Sequence, residues 1–273
     1  MQRTVDEIKA LRERLKTFGF WYHNLDLGDG IWTNPNHPHG DYPRSRWNLI
    51  EPYVPEDCRG LNVLDIGCNA GFFSLEFKKR GASYVLGIDE LPESVEQARF
   101  AARELGYPDI DYRCASVYDF DAFPDTPRRF DIVIFLGVFY HLRHPLLMLD
   151  KLSVLKPRRM FFQTMLRGPA GPIDIARDYP IEQRAIFEDP LYPAMYFVEE
   201  SFVGDPTNWW MTNENGIKAM LRSAGFTRFL QTENPEVFVC DAPTHRPEDY
   251  HWSGRCHTVD EKMKLCPLTR NDA

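Results

Sequence analysis

The chain has 273 residues, a formal net charge of −8, an isoelectric point near 5.5, and 43% hydrophobic against 26% charged residues. It contains no apolar run of the roughly 20 residues that cross a bilayer, and its charged start lacks the apolar core of a signal peptide. We therefore expect a globular cytoplasmic protein. The acidic balance disfavours a broad grip on nucleic-acid phosphates. Six cysteines without a CxxC pair favour free thiols in such a compartment.

The start of the chain is predicted to form a helix and a lid. Ile8, Leu11 and Leu15 recur at spacings of three and four, which is the apolar stripe of a short helix over residues 6–16. Residues 21–43 are instead dense in Gly, Pro, Asn, Asp and His. A long segment of turn-forming residues without periodicity is typical of an active-site lid or a binding loop.

From residue 60 onward, strand and helix patterns alternate. Short apolar runs predict strands at 62–66, 84–88, 110–113, 130–135 and 159–164. Helices are predicted at 72–80, 92–105, 144–155 and 217–223, and a terminal antiparallel pair at 226–230 and 237–240. The alternation predicts a Rossmann-like α/β fold with a mostly parallel seven-stranded sheet and helices on both faces.

We divide the chain accordingly. The parts are an N-terminal helix and lid (1–59), a cofactor-binding core (60–165), a substrate cap rich in proline and aromatic residues (166–215), the end of the core sheet (216–240) and a polar tail (241–273). The lid and the cap are expected to close over the reacting groups.

A glycine-rich turn follows the first predicted strand and opens a helix, in the sequence Asp65-Ile66-Gly67-Cys68-Asn69-Ala70-Gly71. Its glycines allow a close approach of the backbone to a ligand, and the unpaired amides of the helix N-terminus suit a carboxylate. Asp89, at the tip of the second strand, is placed to accept hydrogen bonds from ribose hydroxyls. Since the turn lacks the GxGxxG triplet of nicotinamide enzymes, we predict S-adenosylmethionine as the cofactor.

The predicted cofactor contacts extend to the loops after the third and fourth strands. Ser116 and the Val117 amide are expected nearest the adenine ring. The full set is Asp65, Gly67, Cys68, Asn69, Gly71, Asp89, Ser116, Val117 and Gly137.

The stretch after the fourth predicted strand reads FLGVFYHLRHP over residues 135–145. With the cofactor loop, it resembles the wobble-uridine tRNA carboxymethyltransferases, which use carboxy-S-adenosylmethionine, and more closely a group of related stand-alone small-molecule methyltransferases. The resemblance also rests on His23-Asn24, on GDxP at 40–43 and on GDPTNWW at 204–210. It covers about residues 21–240 and implies a class I S-adenosylmethionine-dependent methyltransferase.

One departure from the tRNA enzymes bears on the form of the cofactor. Those enzymes carry a lysine in the N-terminal loop that pairs with the extra carboxylate of their cofactor, and the resemblance puts His23 at that position. A neutral imidazole pairs poorly with a carboxylate, because only the charged form supplies the ionic attraction. Their C-terminal arginine has no clear match, with Arg246 and Arg255 as candidates. Plain S-adenosylmethionine is therefore the expected cofactor.

The catalytic prediction centres on His141. Methyl transfer is an in-line displacement at a sulfonium carbon, so the protein has to align the acceptor and take up its proton. We interpret His141 as the general base or acceptor-orienting group and Tyr140 as the wall beside the sulfonium. The alternative is a histidine that bonds backbone groups in the core.

The segment 204–210 combines tryptophans with short polar side chains, which is typical of a pocket for a polar ring such as a sugar and also of a turn that caps the next helix. The predicted acceptor contacts are His23, Trp32, Thr33, Asp205, Thr207, Asn208, Trp209 and Trp210. No metal is expected, because the candidate ligands of the lid fit no compact spacing: His23, Asp29, His37, His39 and Asp41.

The predicted reaction is methylation of a hydroxyl on a small polar acceptor, a saccharide or a natural-product intermediate. Alkylation of a tRNA wobble uridine, with the tRNA held on a local basic patch, is the alternative within enzymes. A binding module that keeps the fold without catalysis is the alternative outside them.

Overall fold

The computed structural model describes residues 3–40, 42–176 and 178–244. Contacts within the chain group them into two compact units. The first consists of the described residues up to Phe139 with Arg158–Thr164 and Leu230–Val239. The second consists of Tyr140–Pro157, Met165–Phe229 and the described residues from Cys240 onward. The lid, the cofactor loop and most of the central sheet thus belong to the first unit.

Strands and helices alternate along the described chain. The strands are β1 (Asn62–Ile66), β2 (Tyr84–Asp89), β3 (Asp111–Cys114), β4 (Ile132–Leu136), β5 (Arg159–Gln163), β6 (Met195–Phe197), β7 (Trp210–Thr212), β8 (Phe229–Gln231) and β9 (Val237–Asp241). The α-helices are α1 (Val5–Leu15), α2 (Arg44–Ile50), α3 (Phe72–Lys79), α4 (Pro92–Glu104), α5 (Pro145–Val154) and α6 (Glu214–Ser223). Short 3-10 helices lie at Glu51–Tyr53, Val117–Asp119, Phe139–His141 and Ile181–Glu188. Among the described residues, none of these helices combines the length and the apolar composition needed to cross a membrane.

Seven strands form one sheet in the order β3-β2-β1-β4-β5-β9-β8. β1 to β5 run parallel, with Ile66 beside Ile88 and Asp89 beside Cys114 in the register. β8 and β9 are neighbours joined only by residues 232–236, too few for a parallel crossover, so they form an antiparallel hairpin. The predicted Rossmann-like architecture is confirmed. The strand order changes direction between β1 and β4, which is where sheets of this kind bind ligands.

The core of the first unit fixes the helix that follows the cofactor loop. α3 and α4 pack on β1, β2 and β3. The Trp47 ring of α2 lies edge-on to the Phe77 ring of α3, with 5.6 Å between the ring centroids. The centroid of the Phe77 ring lies 6.1 Å from that of Phe161 of β5. All three rings are fully buried. The start of α3 is therefore held by packing against the sheet.

The segment 21–43 has no helix or strand among its described residues, as its composition predicts. Four of its apolar side chains are nevertheless buried in the core of the first unit, namely Trp21, Leu25, Leu27 and Ile31, with Trp21 and Leu25 each 3% exposed. Burial of a large apolar side chain stabilises it by about 1.5–3 kcal/mol relative to exposure. The first half of this segment, from Trp21 to Ile31, is therefore anchored to the core.

In the second unit, Asn213 connects α6 to the cap residues that precede it. Its side chain accepts the amides of Gly216 and Ala194 and donates to the Tyr192 carbonyl at 2.7 Å. Asn213 is fully buried and is the N-cap of α6, which explains why this helix begins at Glu214, three residues before the predicted start at 217.

The last strand pair also begins later than its apolar pattern predicts. β8 starts at Phe229 and not at residue 226. The Phe226 amide donates to the Leu221 carbonyl and closes the C-terminus of α6, with the Phe226 ring fully buried. The helix end thus uses residues that the local pattern assigns to a strand.

Candidate functional site

The loop between β1 and α3 is hydrogen-bonded to the end of β2. The amides of Gly67 and Cys68 both donate to the Ile88 carbonyl, at 2.8 and 3.0 Å. The Asn69 amide donates to the Asp89 carboxylate at 2.9 Å. The tight turn that the glycine spacing predicts is present, and the neighbouring strand holds it in place.

Gly67 and Gly71 have left-handed backbone, with φ angles of 69° and 81°. A Cβ on Gly67 would overlap the Val138 side chain, and one on Gly71 would overlap the Tyr112 hydroxyl. That hydroxyl donates to the Gly71 carbonyl at 3.3 Å. The sequence pattern predicts these glycines for the approach of a ligand, but the groups that require them here are protein side chains.

Asp89 ends β2 with both carboxylate oxygens engaged by backbone amides. Oδ2 accepts from Asn69 and Oδ1 from Leu91, at 2.9 and 3.0 Å. Burial of this carboxyl raises its pKa, and the two amide bonds oppose that shift. Each oxygen keeps a lone pair beyond these bonds, so a rigidly held carboxylate has acceptor capacity for ligand hydroxyls.

Asp65 of β1 is more deeply buried. Its Oδ2 accepts from the amide and the hydroxyl of Ser74, at 3.0 and 2.6 Å. Burial raises the pKa of Asp65 to about 7, although the Ser74 bonds lower it. Its Oδ1 has no hydrogen-bond partner in the part of the chain that the structure describes. Such a carboxyl suits a cationic ligand group, because a cation favours its ionised form.

The first turn of α3 has fewer available amides than its glycine-rich start predicts. Asp65 takes the Ser74 amide, and the Phe72 amide donates to Nδ1 of His23 at 3.4 Å. Protein groups therefore occupy two of the amides at the N-terminus of α3, and a ligand carboxylate would have to use other donors of the loop.

Cys68 and Asn69 use their side chains within the protein. The Cys68 thiol is buried, and burial raises its pKa. Asn69 Oδ1 accepts the Ala70 amide at 2.8 Å, and Nδ2 lies 3.5 Å from the Ser94 hydroxyl. Cys68 is fully buried, so a contact of this residue with a cofactor would use its backbone, whereas the partly buried Asn69 side chain keeps a second N–H and a lone pair for a ligand.

The remaining predicted cofactor residues follow β3 and β4. The Ser116 hydroxyl accepts the Tyr118 amide at 3.3 Å and caps a short helix whose first residue, Val117, is buried. Gly137, with a φ of 76°, follows β4 directly. Because β1 to β4 are parallel, the loops that follow them lie at one edge of the sheet.

His23, which the sequence resemblance puts at the position of the lysine, is buried and uncharged. It is 3% exposed. Aromatic rings surround it at centroid distances of 5.9–6.3 Å, namely Tyr22, Tyr42, Phe72 and Phe73. Burial lowers its pKa to about 3, and the nearby His37 adds to the shift. Because Nδ1 accepts the Phe72 amide, the ring proton is on Nε2.

The two other acceptor contacts predicted in the lid differ in availability. The Thr33 hydroxyl accepts the Leu25 amide and donates to the His23 carbonyl, at 2.9 Å each, so it holds the backbone of the lid itself. The Trp32 side chain is 42% exposed. Trp32 therefore leaves more surface for a ligand than Thr33, which is half-buried and uses its hydroxyl within the lid.

In the second unit, His141 is joined to Thr207 and Asp205. Its Nδ1 lies 2.8 Å from the Thr207 hydroxyl oxygen and 3.3 Å from the Thr207 carbonyl oxygen. The Thr207 hydroxyl donates to Asp205 Oδ1 at 2.6 Å, and the Thr207 amide donates to the same oxygen at 2.7 Å. Asp205 Oδ2 is 4.0 Å from Nδ1. The structure thus brings three predicted residues into one chain of hydrogen bonds.

The direction of these bonds fixes the tautomer of His141. A carboxylate only accepts, so the single hydroxyl proton of Thr207 points to Asp205 and its oxygen offers a lone pair to Nδ1. The Thr207 carbonyl also only accepts. Nδ1 therefore carries the proton, and in the neutral ring the basic lone pair is on Nε2.

The adjacent residues Trp209 and Trp210 donate hydrogen bonds to the backbone on either side of His141. The Trp209 amide donates to the Tyr140 carbonyl at 2.9 Å, and the Trp210 indole donates to the Leu142 carbonyl at 3.0 Å. The Arg143 guanidinium lies 4.2 Å from the centre of the Trp209 ring. These contacts support the alternative in which the aromatic pair secures a turn.

Tyr140 and Asn208 also pack around this segment. The Tyr140 ring lies 4.4 Å from the His141 ring, tilted by 51°. Asn208 is buried and donates to the Phe202 carbonyl at 2.9 Å. Its Oδ1 has no hydrogen-bond partner among the described residues. Both side chains restrict the surroundings of His141 and Thr207.

No three His, Cys, Asp or Glu side chains are grouped to hold a metal ion in the described ranges. His37 Nδ1 instead accepts the His39 amide at 3.0 Å. Asp41, Arg246 and Arg255 lie outside the described residues. Free thiols in the described chain are Cys58, Cys68, Cys114 and Cys240.

Ser74 and Tyr112 are site residues that the sequence pattern misses. Ser74 holds the Asp65 carboxylate, and Tyr112 fills the space next to Gly71. Neither residue stands in a motif. The only available signal is that Tyr112 is an aromatic residue in a predicted strand, which indicates burial but not its neighbour.

Residues 57–171 match the family model of a methyltransferase domain. The ubiquinone biosynthesis O-methyltransferase of Neisseria meningitidis serogroup C is 35% identical over 115 residues, which cover 41% of this chain and 48% of that protein. The tRNA U34 carboxymethyltransferase of Cellvibrio japonicus is 25% identical over 269 residues, which cover 95% of this chain and 70% of that protein. The chain spans about half the length of the first of these relatives.

Two solved structures have the same fold. The N-terminal domain of EvdMO1, crystallised in the presence of SAH and D-fucose, has a TM-score of 0.59 at 18% identity, covering 88% of this chain and 100% of that one. Magnesium protoporphyrin IX methyltransferase from Synechocystis, with bound SAM, has a TM-score of 0.51 at 19% identity, covering 90% and 100%. The similarity agrees with the sheet order described above.

Replacing Gly71 by alanine is expected to lower the free energy of unfolding by about 2–4 kcal/mol, because left-handed backbone is costly and the methyl group overlaps Tyr112. Gly106→Ala is the matched control, since Gly106 has a φ of 83° and open space at its Cβ position. It should lose only about 1 kcal/mol. Urea unfolding followed by circular dichroism measures both, and equal losses would show that Tyr112 does not confine the loop.

His23 and Asp65 are expected to give folding opposite dependences on pH. The pKa of His23 falls from 6.5 to about 3 in the folded state, so its contribution is present above pH 6.5 and is lost as pH falls. The pKa of Asp65 rises from 3.8 to about 7, so its contribution is present at low pH and is lost as pH rises. Each should change the free energy of unfolding by about 2 kcal/mol between pH 5 and pH 7.

Chemical unfolding of the wild type, His23→Gln and Asp65→Asn at both pH values checks these signs. The advantage of the wild type over H23Q should shrink at pH 5, and its advantage over D65N should shrink at pH 7. Comparing each difference across pH cancels the hydrogen bonds that the substitutions remove at either pH. Differences that do not vary with pH would contradict the buried states assigned to both residues.

Proposed function

We propose that this chain, whose residues 57–171 match a methyltransferase domain, is an S-adenosylmethionine-dependent methyltransferase that methylates a hydroxyl of a small polar acceptor, with His141 as the general base. The cofactor supplies an electrophilic methyl group on its sulfonium. The protein has to align the acceptor oxygen and take up its proton. A saccharide or a natural-product intermediate is the proposed acceptor class.

The residues at the edge of the sheet suit this cofactor. Asp89, held by two backbone amides, keeps lone pairs for the ribose hydroxyls. The second oxygen of Asp65 suits the ammonium group, because a cation would stabilise the ionised form of a carboxyl whose pKa is about 7. The turn at Ser116 and Val117 is the proposed adenine contact.

The observation that carries the choice of a hydroxyl acceptor is the tautomer of His141. A hydroxyl loses its proton as the oxygen attacks, so its methylation gains from a positioned base. With Nδ1 donating to Thr207, the lone pair of the neutral ring is on Nε2. His141 also stands only four residues after Gly137, so the base and a proposed cofactor contact share one loop of the sequence.

The surroundings of His23 support the plain cofactor over the carboxylated one. A carboxylate placed against a neutral, buried imidazole would lose its hydration without gaining an ionic partner. Alkylation of tRNA is the second candidate, because the similarity to a tRNA U34 carboxymethyltransferase extends over 95% of this chain. The net charge of −8 and the neutral His23 speak against it.

We expect the protein, supplied with labelled S-adenosylmethionine, to methylate hydroxyl-bearing small molecules and not tRNA. The panel contains monosaccharides, phenols and bulk tRNA, and D-fucose is included because the similar EvdMO1 domain was crystallised in its presence. With the acceptor so found, His141→Ala should lower kcat by about 10²-fold or more while the Kd for the cofactor stays unchanged.

His144→Ala is the matched control, since His144 is exposed and its side chain makes no cap hydrogen bond at the start of α5. Mass spectrometry measures product, and calorimetry measures cofactor binding. An unchanged kcat in H141A would remove His141 from the mechanism. Label transferred to tRNA alone would replace the proposed acceptor by the second candidate.

Cofactor preference is a separate prediction. Calorimetry should show plain S-adenosylmethionine binding at least about tenfold tighter than its carboxylated form, since the unpaired carboxylate costs more than about 1.4 kcal/mol. Tighter binding of the carboxylated cofactor would mean that a cation other than His23 pairs with it, and would favour the tRNA reaction.

A further inference from the structure

The polar residues of the segment 204–210 have protein partners, although their composition predicts acceptor contacts. Asp205 Oδ1 receives both the hydroxyl and the amide of Thr207, at 2.6 and 2.7 Å. The Thr207 hydroxyl oxygen lies 2.8 Å from His141 Nδ1. These groups are therefore arranged around the imidazole of His141.

We propose that Asp205 and Thr207 are positioning residues that hold His141 in its Nδ1–H tautomer and so direct its basic Nε2 to the acceptor. This inference rests on the proposed function, in which His141 is the base. Asp205 acts through Thr207, because Asp205 Oδ2 lies 4.0 Å from His141 Nδ1, beyond hydrogen-bond distance. Neither residue is a catalytic group in its own right.

Asp205 is the member of the pair that decides the direction. A threonine hydroxyl rotates freely and can donate to an imidazole nitrogen as well as accept from one. Because the Asp205 carboxylate takes the hydroxyl proton, the Thr207 hydroxyl oxygen presents a lone pair to Nδ1 at 2.8 Å, in addition to the Thr207 carbonyl oxygen at 3.3 Å. Without Asp205, the hydroxyl proton is released and competes for Nδ1 with the acceptor bond to the Thr207 carbonyl, so the Nε2–H form gains population and fewer molecules have a basic Nε2.

The carboxylate stays an acceptor at neutral pH. Burial opposes its ionisation, but the hydroxyl and amide of Thr207 and the neighbouring His141 together lower the pKa of Asp205. The pair is also held in place, because Trp209 bonds the Tyr140 carbonyl and Trp210 bonds the Leu142 carbonyl, on either side of His141. The fixed backbone on either side of His141 and the ionised Asp205 carboxylate together keep His141 in its Nδ1–H tautomer.

The direct test is the ¹⁵N spectrum of histidine-labelled protein at a pH where His141 is neutral, with its signals assigned by comparison with His141→Gln. The wild type should show a protonated Nδ1 and a bare Nε2. Asp205→Ala should shift His141 toward the Nε2–H form. Thr207→Val leaves Nδ1 only the longer bond to the carbonyl at 3.3 Å and should give a mixture of the two tautomers. Thr207→Ser keeps the hydroxyl and should restore the wild-type signals. Glu200→Ala, which removes an exposed carboxylate from the same stretch of chain, should change nothing.

The second readout is the kinetics of methylation of a monosaccharide that the panel identifies as an acceptor. Asp205→Ala should lower kcat about tenfold or more with KM nearly unchanged, because the base is lost and not an acceptor contact. A rise in KM at constant kcat would return Asp205 to the acceptor site and overturn the inference.

The failures can be told apart. A wild-type Nε2–H signal, or an unchanged spectrum in D205A, overturns the positioning role whatever His141 does in catalysis. A normal kcat in H141Q overturns the proposed function, even where the spectra show the pair controlling the tautomer. Thermal unfolding of each variant identifies loss of structure, and T207V then replaces D205A as the deciding variant.

Discussion

The end of β2 holds the loop that follows β1, and the proposed cofactor site depends on this connection. Two loop amides donate to the Ile88 carbonyl and a third donates to the Asp89 carboxylate. Parallel pairing of Ile66 with Ile88 brings the two strand ends level, so the loop and the carboxylate meet without a long connection. Asp89 is thereby fixed before a ligand arrives, which lowers the cost of ordering it on binding. The same connection explains why the residues of the loop use their side chains within the protein.

Two buried ionisable groups flank the start of α3, and loss of water governs both. His23 has a lowered pKa and accepts the Phe72 amide, whereas Asp65 has a raised pKa and accepts the Ser74 amide. Each satisfies a helix donor that would otherwise be unpaired. Two amides at the N-terminus of α3 are therefore used by protein groups. The imidazole of His23 is neutral because aromatic rings surround it and exclude water. The proposed preference for the plain cofactor is in this way linked to packing around His23.

In the second unit, the chemistry of one histidine depends on residues 66 positions away in the sequence. His141 alone is a group that can act as base through either nitrogen. Thr207 and Asp205 select the nitrogen, because their acceptors and donors can be satisfied in only one direction. The tryptophans beside them secure the backbone on which this selection depends. A segment whose composition suggests sugar binding is thus used to orient the proposed base.

The sequence by itself determined the alternating α/β fold, the position of the cofactor loop, the acid at the end of β2 and the histidine after β4. These features follow from periodicity and glycine spacing, which are properties of neighbouring residues. Only the tertiary structure decided that Gly71 is required by Tyr112, that His23 is neutral and that Asp205 acts through Thr207 on His141. Gly71 and Tyr112 are 41 positions apart, and His23 and Phe72 are 49 apart. Burial and hydrogen-bond direction between such distant residues arise only when the chain is folded, so no local pattern records them.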